Sequence, residues 1–124
     1  MLSCLITKAQ SVYHTVYSQR ATWNTYTQKW DYEPANYGDL TFTMQGHVIL
    51  VNDQANSTYT TGTMTIKIED KDPKQYGWEA IDEKYRKCLF KIEYYESGIE
   101  YFVVMYDDML WSYRLTTGTK LDKF

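Results

Sequence analysis

Apolar and polar residues alternate with a period of two through most of this chain, and that pattern leaves little besides β-structure for it to form. In the stretch Thr63 to Glu69, Met64, Ile66 and Ile68 fall on one side, while Thr65, Lys67 and Glu69 fall on the other. Asp39 to Met44 repeats the pattern, with Leu40, Phe42 and Met44 predicted inward and Thr41 and Thr43 outward. Gln45-Gly46 then separates it from His47 to Val51, a two-residue hairpin signal because glycine tolerates positive φ. From Cys88 to Tyr95, Cys88, Phe90, Ile92 and Tyr94 alternate against Leu89, Lys91, Glu93 and Tyr95.

The segment Ile99 to Tyr106 is apolar on both faces, which predicts a central strand or one covered by a second layer. Glu96-Ser97-Gly98 precedes it as a turn, and Asp107-Asp108 leads into a last strand over Leu110 to Leu115. Ser11 to Gln19 and Thr22 to Trp30 read as two longer, more polar strands, and Gly77 to Glu83 as another. Asn52 to Asn56 and Asp70 to Gln75, with Pro73, read as loops. No segment of ten or more residues carries a helical period. Short strands spaced about 8–12 residues apart predict an all-β fold. The expectation is a small antiparallel β-barrel or β-sandwich of roughly 8–10 strands, connected mostly by hairpins.

At 124 residues the chain has room for one core and not two. We read residues 10–124 as a single β domain. Residues 1–9 read as the remnant of a signal peptide or a loose N-terminus, since Ala9 stands where cleavage would follow. The hydrophobic share of 44% excludes a disordered chain, and thirteen Tyr and four Trp favour pleated structure. A net charge of −3, without a basic stripe, argues against a nucleic-acid partner. No apolar run approaches the roughly 18–20 residues of a membrane helix.

The run from Trp78 to Ile92, followed by Ser97 to Leu115, resembles the C-terminal half of small exported β-proteins of Gram-negative bacteria. The resemblance rests on an Asp-Glu turn (Asp82-Glu83), a strand opened by Cys88, and a closing pair carrying Phe102-Val103, Tyr106-Asp107-Asp108, Trp111 and Tyr113. It implies a β fold and a periplasmic, envelope-associated or secreted location, and it implies no catalytic activity. A cytoplasmic or virion setting is the alternative.

Catalytic patterns are sparse. The two His (His14, His47) and two Cys (Cys4, Cys88) lack metal-ligand spacing, so no metal or cofactor is expected. Cys88 shares a face with Phe90 and Ile92 and reads as an inert buried thiol, with pairing to Cys4 left open. Glu79, Asp82 and Glu83, like Asp107 and Asp108, stand where strands end, and Asp there is mostly turn chemistry. Glu69, Asp70 and Asp72 offer oxygen ligands but lack the EF-hand glycine and terminal Glu.

The most informative cluster is aromatic. Trp23, Tyr26, Trp30, Tyr32 and Tyr37 lie among polar neighbours, and alternation places Tyr26 and Trp30 on one face and Trp23 on the other. Such rings supply large contact area at low entropic cost, so these five are the expected partner-binding residues. The expected function is a non-enzymatic binding or structural β-domain, an accessory subunit that meets a protein partner. Two alternatives stand beside it. One is a lipocalin-like carrier of a small apolar ligand, its cavity lined by Phe42, Met44, Ile66, Phe90 and Val103. The other is a structural or inhibitor protein encoded by a phage or mobile element.

Overall fold

The computed structural model describes residues 10–116, so residues 1–9, with Cys4 and the proposed cleavage point after Ala9, lie outside the described residues. Nine strands follow one another: β1 (Ser11–Asn24), β2 (Lys29–Tyr32), β3 (Asn36–Gln45), β4 (Val48–Val51), β5 (Thr58–Ile68), β6 (Lys74–Asp82), β7 (Lys87–Tyr94), β8 (Glu100–Met105) and β9 (Met109–Leu115). Each pairs antiparallel with its neighbour in the order β2-β1-β3-β4-β5-β6-β7-β8-β9, and β1 also pairs with β9. That last pairing closes eight strands into an up-and-down barrel and leaves β2 as an extra strand on β1. Closure decides between barrel and sandwich, and it removes the sheet edges that an open sheet would expose.

Sequence alternation accounts for the interior. Phe42, Phe90, Ile92, Phe102, Val104, Tyr113 and Leu115 form one buried cluster, with Leu40, Met44, Cys88 and Tyr94 packed against it. Phe102 stands at its centre, with ring centroids 4.9 Å from Phe42, 5.5 Å from Phe90 and 5.8 Å from Tyr13. An eight-stranded barrel is just wide enough for side chains to fill it, and these rings fill its middle.

Three features depart from simple alternation. Ser11 to Asn24 is one strand of 14 residues, where two were expected. It can be that long because its first part pairs with β3, and its last four residues continue beyond β3 to pair with β2. Within it, Thr15 pairs with Leu115 but Tyr17 with Arg114, so Val16 is an extra, bulged residue. A bulge reverses which face follows, so Tyr13 and Thr15 point inward while Tyr17 points outward.

The third departure is in β5. Met64 pairs with Trp78 and Ile66 with Gly77, one residue short of regular spacing. Met64 therefore faces the interior with Trp78, whereas Ile66 and Ile68 lie on the outer face, contrary to the single inward row expected. Ile66 covers Gly77 so closely that a Cβ there would come within 3.1 Å of the Ile66 Cβ.

Turns fall close to their sequence signals. Gly46 takes φ 62° between Gln45 and Val48, which pair, so the hairpin residues are Gly46 and His47. Gly98 takes φ 90° in the β7–β8 turn, where its N–H donates to the Tyr95 carbonyl at 2.9 Å. No helix among the described residues is long and apolar enough to cross a membrane.

Candidate functional site: an aromatic outer face

The β1–β2 hairpin is organised by one side chain. Asn24 Oδ1 accepts the N–H of Tyr26 at 2.9 Å and of Thr27 at 3.2 Å, while its Nδ2 donates to Asp31 at 2.9 Å. The short amide thus substitutes for backbone partners in the turn, as Asn does well. Gln28 closes it at φ 58°. Tyr26 is left at the tip, 97% exposed.

Below the tip, Trp23 pairs directly with Trp30, edge to face with centroids 5.2 Å apart. The two Trp share one face, and the expected split between them does not occur. The turn from Thr25 to Gln28 interrupts the alternation, so phase cannot be counted across it. Tyr32 pairs with Ala21 on the same face.

That face folds onto the barrel wall. Ala21, Val103 and Leu110 are buried together on the outside of β1, β8 and β9, with Trp30, Tyr101 and Met105 packed against them. This small outer core is the second layer that the two-sided apolar character of β8 calls for: Phe102 and Val104 point into the barrel, and Val103 points out beneath the hairpin. The Trp23 N–H donates to the Asp108 carbonyl at 2.9 Å, and the Arg20 guanidinium pairs with Glu33.

Beside the hairpin, rings run across the wall. Tyr37 stands edge-on to Tyr17 at 5.5 Å, Tyr17 to Tyr101 at 6.4 Å, and Tyr101 to Tyr95 at 5.7 Å. The hydroxyls of Tyr17 and Tyr101 share a hydrogen bond of 3.1 Å. Burial, that bond and the neighbouring phenol push the Tyr17 hydroxyl up to about 12. Burial and then the Glu93 carboxylate raise Tyr32. These phenols stay protonated at any physiological pH and serve as hydrogen-bond donors as well as apolar surface.

The five residues singled out by sequence therefore gather on one side. Tyr26, Tyr32 (57% exposed) and Tyr37 (81% exposed) are open to solvent, while Trp23 and Trp30 are half-buried and Trp30 packs on the outer core. Sequence reading passed over Tyr17, Tyr95 and Tyr101. Strict alternation along β1 puts Tyr17 on the Tyr13 side, and only the bulge at Val16 brings it out.

The set expected to line an apolar cavity does not line one. Phe42 and Phe90 are packed in the barrel core and Met44 lies against it. Ile66 lies over Gly77 on the outer face, and Val103 belongs to the outer core. The reasons are the shift in phase along β5 for Ile66, plain alternation along β8 for Val103, which lies between inward Phe102 and Val104, and the aromatic filling of the barrel centre for the rest.

Elsewhere, Asp82 is a turn residue. Its Oδ1 accepts the N–H groups of Lys84 and Arg86, both at 2.9 Å, and its Oδ2 accepts Arg86 Nε at 2.8 Å and the Tyr106 hydroxyl at 2.7 Å. Burial alone would raise this carboxyl, but the four donors outweigh it and hold it below the usual carboxylate range. Cys88 is half-buried, and burial first, then the Asp82 charge, push its thiol up to about 11, which keeps it a poor nucleophile at neutral pH. Among the described residues no three or more His, Cys, Asp or Glu side chains gather as a metal site. No protein-family model, curated protein or solved structure matches this chain.

Proposed function

We propose that this chain is a binding domain, an accessory subunit of an exported assembly, that meets a protein partner through its aromatic outer face. The observation that carries the reading is the exposure of Tyr26, Tyr32 and Tyr37 beside rings that are themselves fixed. Isolated exposed apolar residues are ordinary, but contiguous aromatic surface on a rigid bed is a feature of interfaces. Tyrosine suits this role because it has few rotamers to lose and a hydroxyl that can pair at a rim.

The test is a triple variant, Tyr26→Ser/Tyr32→Ser/Tyr37→Ser, compared with the unaltered protein as bait in its native cells. A partner retained by the unaltered protein and lost by the variant, at equal Tm and with cross-links mapping to the hairpin and the start of β3, supports the reading. An identical partner set for both proteins, or none for either, refutes it.

A further inference from the structure

The barrel is filled at mid-height but open at the end where β4–β5, β6–β7 and β8–β9 turn. A cavity of about 590 Å³ lies there. Its floor is aromatic, made by Tyr59 and Tyr113, which are buried, and by half-buried Trp111. Trp111 lies nearly parallel to Tyr113, at 20° and 6.5 Å, and the Arg20 guanidinium sits 5.9 Å from its ring centre. These contacts fix the indole in place.

The walls are polar and charge-balanced. Two acids, Asp53 and Glu83, face two bases, Lys84 and Arg86. Most of this charge is already engaged. Asp53 accepts the Ser57 N–H at 2.8 Å and the Ser57 hydroxyl at 2.6 Å, and Glu83 accepts the Thr58 N–H at 3.1 Å. Arg86 is held by Asp82 and lies over the Tyr106 ring at 5.2 Å. Between the charges stand the side-chain amides of Asn36 and Gln54, each with donor and acceptor character, and that of Asn52, whose Oδ1 already accepts the Thr41 N–H at 2.6 Å.

We infer that this mouth is a binding site for a small neutral sugar. Every hydroxyl of a sugar ring both donates and accepts, so it needs walls with both kinds of partner, and its C–H face needs a flat apolar surface. The mouth has both kinds of polar partner on its walls and aromatic rings at its floor, and Asp53, Glu83 and Arg86 are pre-set by internal hydrogen bonds, which lowers the ordering cost of binding. A compound of net charge gains no selective field from walls whose charges cancel. The apolar carrier reading is a poor fit for the same cavity, because a purely apolar ligand would cover its exposed amides and charged side chains and offer no replacement for their contacts with water.

The experiment is a titration of the full chain with a panel of neutral mono- and disaccharides, read by tryptophan fluorescence and by backbone amide shifts. Tetramethylammonium and inorganic phosphate serve as charged comparators. The expected result is a saturable response to at least one sugar, mapped to the β4–β5, β6–β7 and β8–β9 turns. Gln54→Ala, an exposed loop change, should weaken it by about three- to tenfold, and Ala55→Trp should block it without lowering Tm. Four results would overturn the inference: no saturation at tens of millimolar of any sugar, shifts that map to the outer face, affinity unchanged in both variants, or preference for a charged comparator. None of these touches the partner contact on the outer face, which stands or fails by its own variant.

Discussion

Glu100 opens β8, where it pairs with Tyr94. Its Oε2 is buried without a hydrogen-bond partner among the described residues, and burial raises its carboxyl above the ordinary value. A carboxyl whose folded pKa exceeds its unfolded one favours the fold fully below the unfolded pKa, about 4.3. It loses that contribution as pH rises through the folded value. Glu100→Gln keeps the shape and removes the charge. It should therefore raise the urea midpoint at pH 7 and leave it nearly unchanged at pH 4, and an equal shift at both pH values would contradict this account. Asp82 has the opposite sign. Its folded pKa is depressed by its donors, so its contribution is present above the unfolded pKa and lost as pH falls through the folded one.

At the scale of elements, the β1–β2 hairpin is the informative case. Its aromatic residues were legible, but its turn, which falls inside the single strand expected over Thr22 to Trp30, was not, and neither was which rings meet. Trp23 and Trp30 share a face because the turn length sets the pairing, and Tyr17 joins Tyr37 because Val16 bulges. Both facts depend on hydrogen-bond register, which single-strand alternation does not contain. The hairpin is held to the wall chiefly by Trp30 over Val103 and Leu110. Trp30→Ala should cost about 2–3 kcal/mol, below the range for a fully buried Trp because the ring is only half-buried. Amide exchange should quicken over residues 24–32 while the barrel strands stay protected. Quickening spread evenly over the barrel would mean that the hairpin is part of the main cooperative unit and not a layer upon it.

For the whole molecule, the barrel interior is largely aromatic, and several of its rings carry hydroxyls. Burial raises Tyr59, Tyr106 and Tyr113 well above the ordinary phenol range, with the Asp53 charge adding to it at Tyr59, the Asp82 contact at Tyr106 and the Tyr59 contact at Tyr113. Unfolded tyrosine ionises near about 10, so the stability these groups confer is complete below that pH and falls away as pH climbs toward their folded values. Alkaline titration should show these interior tyrosines ionising in one step, together with loss of the strand circular dichroism signal. Smooth ionisation of all tyrosines with the strand signal intact would refute a closed interior.

The amino-acid sequence by itself determined most of the strands, β3 to β9, because side-chain period is a local property. It fixed the all-β class and placed Phe42, Phe90 and Ile92 on the inward rows. It also marked the glycine turns, because positive φ is a local demand as well. Tertiary structure alone decided the rest. Closure of β1 onto β9 joins residues a chain length apart, and three bulged positions shift the phase of β1 and β5. Those shifts send Tyr17 and Ile66 to the outer wall, while Val103 reaches it by plain alternation along β8. A bulge adds one residue to one strand only, so it becomes visible when the partner strand is known and is silent in the sequence of either strand alone.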